Sequence, residues 1–216
     1  MSSPRRARQP EQKAERRDAI VAAAGAAFAQ GGFAAITMAG VARAVGLAKG
    51  TLYLYFRSKE ELFVAVLEQE LDGWQGELVE RLEGSQDRSP QGLAADLSRS
   101  ILARPNMVRL LAILSPVLEA NVPEDTAIAF KVRLVERMGR VAPHVERRCG
   151  GLMPGEGALV LRRLDALVVG LWPMAKPGIL AEQARTEPTL SPLRVDLGVE
   201  LEAMLSALLR GMVAGR

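Results

Sequence analysis

The sequence predicts an all-α protein, with a three-helix helix-turn-helix unit at the N-terminus and a larger helical unit after it. Three observations carry this expectation. Ala, Leu, Val, Arg and Glu dominate while only 4% of residues are aromatic, a balance that favours helix over sheet. Apolar residues recur every three or four positions in segment after segment, and nowhere do they alternate as in a half-buried strand. Glycines and prolines fall mostly between the periodic segments, where they stop and start helices. At 216 residues and 49% apolar content, the chain fits one large or two small domains with enough material for a core.

Residues 1–10 (MSSPRRARQP) are rich in Pro, Ser and Arg and read as disordered. The division expected is a basic tail over 1–11, the helix-turn-helix unit over 12–58 and the second helical unit over 59–216. The first helix runs from about Gln12 to Gln30, burying Ile20, Ala23, Ala24, Ala27 and Phe28, and stops at Gly31-Gly32. Thr37 caps a short second helix with Met38, Val41, Ala42 and Val45 on one stripe, closed by Gly46. A third short helix spans about Lys49 to Phe56, and Ser58-Lys59-Glu60-Glu61 has the form of a capping box. That box opens a long helix whose apolar side is Phe63, Val66, Leu67, Leu71, Trp74, Leu78 and Leu82.

After the linker Gly84 to Pro90, four segments follow: Gln91–Ala103, Pro105–Ala120, Pro123–Cys149 and Pro154–Ala175. Pro105, Pro123 and Pro154 suit first-turn positions, whereas Pro116 and Pro143 should kink or break their helices. Residues 176–193 hold four prolines or glycines and read as a loop with at most one helical turn. A last helix from about Arg194 to Val213 closes the chain.

Charge is uneven. Residues 1–60 carry ten Lys or Arg against four Asp or Glu, net +6, and the remainder carries 18 against 21, net −3. A basic head on a near-neutral body suggests a polyanion-binding module joined to something else, although a solvated basic tail gives the same count. One Cys and one His exclude an internal disulfide and a Cys/His zinc site, so no metal or other cofactor is expected. His144 and Cys149 stand five apart, about 140° around a helix, on different faces. No Ser–His–Asp order or phosphate-cradling loop is present, and no catalytic residues are assigned: the chain does not read as an enzyme. Arg16 and Arg17 before Ala19–Ala29 mimic a signal peptide. That stretch is mostly alanine and is needed as a helix, and no uninterrupted apolar run approaches the roughly 20 residues of a membrane span. A cytoplasmic protein without a membrane partner is expected.

Two short helices joined by a glycine turn, after a longer supporting helix, make a helix-turn-helix geometry. On a helical wheel Leu52 and Phe56 point inward, and Gly50, Thr51, Tyr53 and Leu54 lie outward or at the flank. Gly50 lets backbone come close to phosphate, while Lys49 and Lys59 sit at helix N-termini, where charge and free N–H groups favour an anion. Thr51 and Tyr53 can donate to phosphate or base edges, and Leu54 can meet a thymine methyl. Periodicity also allows Tyr53 and Tyr55 to be packing residues of a protein–protein helix.

The run Thr37 to Phe63 (TMAGVARAVGLAKGTLYLYFRSKEELF) resembles the signature of TetR-type regulators, through Thr37, Ala42, Gly46, Lys49-Gly50-Thr51-Leu52-Tyr53, Phe56 and Lys59-Glu60. With the first helix, the resemblance covers about residues 13–65. It implies a repressor that binds a palindromic double-stranded DNA operator as a homodimer and is released by a small-molecule effector. It further implies phosphate roles for Thr37, Lys49, Thr51, Tyr55 and Lys59, a groove role for Tyr53, and close approach at Gly50. Ala48 stands where the family usually has a capping Ser or Thr, and Tyr55 where relatives often have His. A DNA-binding protein of the same fold without an effector, architectural or controlled by a partner, is the alternative.

Beyond Gly84 the resemblance is one of layout: a helical core enclosing an effector cavity, and dimerisation through the last two long helices. The segment holding Leu164, Val168 and Leu171 is apolar nearly all round and must be buried on several sides. With Leu201, Leu205 and Leu208 it is expected at the dimer seam, a central core helix of a monomer being the other reading. Trp74, Met107, Phe130, Trp172 and Met174 are candidates to line an effector cavity, although core packing is the commoner role of any one of them. Arg104, Arg109, Lys131, Arg133 and Arg137 suit an acidic ligand or a solvated face.

Overall fold

Helix α1 (Pro4–Ala35) begins eight residues earlier than the sequence suggests, since Arg, Ala and Gln are good helix formers that extend the periodic part. Its break falls within the expected pair Gly31-Gly32, at Gly32, whose φ of 74° is a conformation that glycine adopts without strain. The computed structural model describes residues 4–176 and 187–214, and among these there is no strand. The order continues α2 (Met38–Ala44), α3 (Lys49–Tyr53), α4 (Lys59–Gly84), α5 (Pro90–Leu102), α6 (Pro105–Ile113), α7 (Glu124–Arg148), α8 (Glu156–Ala175) and α9 (Leu197–Ala214). Between α6 and α7 the chain widens into a π turn (Leu114–Leu118) and then tightens into a 3-10 turn (Glu119–Asn121). Pro116 lies inside the π turn and explains it, because its ring and missing N–H reject the regular α ladder. Pro143, by contrast, is carried within α7 without ending it. Residues 177–186 of the expected loop lie outside the described residues, and Pro188–Leu193 form a 3-10 segment.

The chain divides into two units, Met1–Gln69 with Leu114–Ile128, and Glu70–Ile113 with Ala129–Arg216. The division falls within α4 rather than at residue 58, because Leu62, Phe63, Val66 and Leu67 at its start are buried and Phe63 packs on the first unit's Phe28 and Phe33, with ring centroids 5.5 and 5.1 Å away. The stretch Glu11–Ala35 has the length and composition to cross a membrane, contrary to expectation. Its Ile20, Val21, Ala24 and Phe28 are instead buried in the first unit's core.

The second unit buries Leu93, Leu97 and Ile101 of α5, Met107 and Leu110 of α6, Val141 and Val145 of α7, and apolar faces of α8 and α9. Gly157 seats α8 against α7: a Cβ there would lie 2.2 Å from the carbonyl oxygen of Ala142. The α8 N-terminus has no cap of its own, as Gly155 precedes it in the left-handed region. Glu146 of α7 supplies one, its Oε1 accepting from the N–H groups of Gly155 and Gly157 at 2.8 and 2.9 Å. A carboxylate on unpaired N–H groups at the positive end of a helix dipole is favourable on both counts.

Candidate nucleic-acid interface

Leu52 and Phe56 are buried at 0% and 1% exposure and fix the rotation of α3. On the other side stand Gly50, Tyr53 (42% exposed) and Leu54 (78% exposed), with Thr51 and Tyr55 half-buried at the flanks. Leu54 is the α3 C-cap, so the helix is shorter than its sequence suggests. A leucine and a tyrosine displayed this openly at the end of a helix of five residues are free to meet a partner outside the chain. Gly50 has no heavy atom within 4 Å of where a Cβ would stand, so its surface is open to an approaching backbone or phosphate. Lys49, the first residue of α3, is exposed, with its Nζ 5.9 Å from the Tyr53 ring centroid.

The supporting contacts are local. Thr37 caps α2, its Oγ1 accepting from Gly40 N–H at 3.1 Å, which leaves the exposed hydroxyl proton to donate elsewhere. The capping box at α4 closes with a shift of one residue. Ser58 Oγ accepts from Glu61 N–H at 3.0 Å, but the Glu61 carboxylate accepts from the N–H of Arg57, not of Ser58. Ala48 precedes α3 in extended conformation and makes no side-chain cap bond.

Lys59 is placed differently from Lys49. Its ammonium lies 4.1 Å from the Phe33 ring centroid, and burial lowers its pKa from the ordinary lysine value. The sequence gives no hint of Arg57. Its guanidinium donates to Glu61 Oε1 and Asp125 Oδ1, both at 3.1 Å, and to Thr126 Oγ1 at 2.7 Å. Hydrogen bonds donated to Glu61 first and to Asp125 second raise the Arg57 pKa, and Arg57 in turn lowers that of Asp125. Asp125 is 68 positions away in the chain, a separation no local pattern reveals.

The other expected sites are distributed otherwise. Leu164, Val168, Leu171, Leu201 and Leu205 are buried within the chain, at 0–6% exposure, and Leu208 is half-buried. The five buried residues are core of the second unit, correcting their placement at a partner-facing seam: apolar character alone does not separate an internal face from an external one. The open sides of α8 and α9 carry Val169, Gly170, Val199, Ala203 and Met204. Of the cavity candidates, Met107 and Phe130 are fully buried, Trp74 donates from Nε1 to Ser100 Oγ at 3.0 Å, Trp172 is half-buried, and Met174 is 59% exposed. A cleft of about 530 Å³ between α5 and α9 is lined by none of these five. Arg104 is engaged by Glu70 and Glu77, and Arg137 by Asp72, so neither stands as a bare cation awaiting an acidic ligand.

A short helix held by two buried residues, with an open outer face and a basic N-terminus, defines the first unit as a helix-turn-helix head. Residues 20–66 match the family model described as bacterial regulatory proteins, tetR family, and residues 68–216 match the one described as tetracyclin repressor-like, C-terminal domain. The chain belongs to the TetR family of regulators. The HTH-type transcriptional repressor KstR2 of Mycolicibacterium smegmatis is 40% identical over 63 residues, which is 29% of this chain and 31% of that protein. The match thus spans under a third of that relative's length. Among solved structures, the fatty acid degradation regulator FadR from Bacillus halodurans aligns at 17% identity with a TM-score of 0.54, covering 91% of this chain and 95% of its own. A TetR-family regulator from Mesorhizobium loti aligns at 20% identity and a TM-score of 0.55, covering 94% and 97%. At these identities the likeness is one of fold.

Proposed function

We propose that this chain is a cytoplasmic, homodimeric repressor that seats α3 of each protomer in the major groove of a palindromic operator and leaves it when a small molecule binds the second unit. The observation that carries the DNA half is the outer face of α3, where Gly50, Tyr53 and Leu54 stand open on a helix anchored by Leu52 and Phe56. Tyr53 and Leu54 read base edges, the latter through a thymine methyl. Lys49, Thr51, Tyr55, Lys59 and the free hydroxyl proton of Thr37 hold phosphates and set the register.

Dimerisation is supported by the open faces of α8 and α9. Gly170 has no heavy atom within 4 Å of a Cβ position, so a second helix could approach closely there. Val169 on α8 and Met204 on α9 are 36% and 43% exposed, apolar side chains that a partner helix could cover. Release by an effector rests on the family and on a second unit with its own helical core. The cleft of about 530 Å³ between α5 and α9 lies within the volume range of small-molecule sites.

A genome-wide map of bound DNA tests the DNA half. A few palindromic sites are expected, and broad or clustered coverage would replace the repressor reading with an architectural one. Operator affinity is expected to fall by a coupling of about 1–3 kcal/mol on saturation with the effector, and effector affinity to fall equally on saturation with operator. A ligand that binds tightly and equally with and without operator would remove the effector half.

A further inference from the structure

A second cavity, of about 210 Å³, lies where the end of α4, the following linker and the end of α7 meet; it is lined by Leu82, Glu83, Ser85, Arg88, His144, Arg147 and Arg148. It shares no lining residue with the α5–α9 cleft. Three guanidinium groups and one carboxylate line this small cavity; Arg148 is paired with Asp96, which leaves Arg88 and Arg147 against Glu83, a positive excess that suits an anion. The arrangement is held from both sides. Gly150 N–H donates to the carbonyl oxygen of Arg88 at 2.9 Å, tying the linker to the residues just after α7.

Arg148 carries the argument. Its side chain is only 2% exposed, and its Nε and Nη2 both donate to Asp96 Oδ2, at 3.0 and 2.6 Å. Asp96 is shared, its other oxygen accepting from Arg99 at 2.7 Å. Nη1 of Arg148 is buried with no acceptor. Asp87 is close enough to feel the Arg148 charge, but its carboxylate is turned to Ser89, accepting from the N–H at 2.8 Å. A buried guanidinium N–H without an acceptor is costly, and in folded proteins such a group calls for a partner.

His144 bears on the same wall. Its Nδ1 lies 3.0 Å from Glu83 Oε1 and 3.0 Å from Arg147 Nη2. A ring nitrogen can donate to the carboxylate or accept from the guanidinium, but not both. With its proton on Nδ1 the ring serves Glu83, and Arg147 is left for another acceptor.

We infer that this cavity is a binding site for a small oxyanion, a phosphate or a carboxylate, held by Arg88, Arg147 and Nη1 of Arg148 with Ser85 as a further donor. Its volume is below the roughly 300–1,000 Å³ of drug-sized ligand pockets, which limits the occupant to a few heavy atoms. Guanidinium donors suit both oxyanions, because their planar fork matches two oxygens at once.

The test uses the full-length protein in chloride buffer, titrated with inorganic phosphate and, separately, with succinate at matched ionic strength. Melting temperature and titration calorimetry are read together. Saturable binding with a rise in melting temperature is expected for at least one anion, and which one responds identifies the source. The variant R88Q/R147Q removes two donors at exposed positions and leaves the Arg148–Asp96 pair intact. It should melt in chloride as the wild type does and bind the responding anion at least about tenfold more weakly. A flat response of the wild type to both anions up to about 10 mM, as for a water-filled cavity, overturns the inference. So does an equal response of wild type and variant. If the double variant melts lower in chloride, R147Q alone, read by calorimetry, decides in the same way.

Discussion

At the scale of single residues, the proposed reading helix α3 lacks a side-chain cap that other helices have. Thr37, Ser58 and Ser89 each cap a helix by accepting from the N–H three residues on, at 3.0–3.1 Å. Ala48 has the same extended backbone, φ −68° and ψ 146°, and no side-chain oxygen to offer. Ala48→Ser should offer a side-chain acceptor to Thr51 N–H, which now donates to the Ala48 carbonyl oxygen at 3.0 Å, stabilising α3 by roughly 0.5–1 kcal/mol, raising the melting temperature by a few degrees and tightening operator binding several-fold. Thermal melts and operator titrations measure the two separately; tighter binding without added stability would mean the hydroxyl touches phosphate instead. The two lysines separate similarly. Lys49→Ala should leave the melting temperature unchanged and lower the slope of log K against log salt by about 2 per dimer, one phosphate contact per subunit. Lys59→Ala should lower that slope too, but should also lose about 0.5–1 kcal/mol of stability with its contact to Phe33. Equal melting temperatures for the two variants would contradict this distinction. The outer face of α3 was legible in the sequence because a 3.6-residue period with two large inward residues fixes the remaining directions. The engagement of Lys59 by Phe33 was not, because no periodicity joins positions on different helices.

At the scale of elements, most helices were legible from apolar spacing and from the prolines and glycines that bound them. Misplacements arose where a local rule had two outcomes. Pro116 opens a π turn and helps end α6, while Pro143 is accommodated inside α7; both are interior prolines, and only the packing around them decides. The N-terminus of α8 shows the opposite limit. Nothing in Pro154–Gly157 announces a cap, since the cap is Glu146 from the preceding helix. Glu146→Ala should leave the Gly155 and Gly157 N–H groups without that acceptor and destabilise the second unit by about 1–3 kcal/mol, seen as a lower denaturation midpoint. Gly157→Ala should be at least as damaging, because its methyl would press on the Ala142 carbonyl oxygen, which belongs to backbone and cannot swing aside. A Glu146→Ala protein as stable as the wild type would show that solvent caps α8 equally well.

At the scale of the whole molecule, the two-part plan of a basic head and a near-neutral helical body follows from charge, but the proposed seam between protomers does not. Leu205 and Met204 are neighbours in sequence and both apolar, so hydropathy treats them alike. In the fold Leu205 is fully buried in the second unit and Met204 is 43% exposed. Substituting Glu at the two positions should therefore give opposite failures. Leu205→Glu places a carboxylate in a dry core and removes a leucine worth several kcal/mol there, so it should lose helical content and melt early whatever the protein concentration. Met204→Glu puts charge on the open face of α9, costs the protomer little, and places like charges at or near a two-fold contact, where they repel. Sedimentation and circular dichroism together should show a folded monomer. Operator binding by Met204→Glu should weaken sharply, because each head then binds a half-site alone, and its salt slope should fall toward half the wild-type value as half the phosphate contacts are lost. A wild type that is monomeric at micromolar concentration removes the dimer outright. A Met204→Glu protein that remains dimeric moves the seam away from this face, and the partner surface should then be sought elsewhere on the second unit.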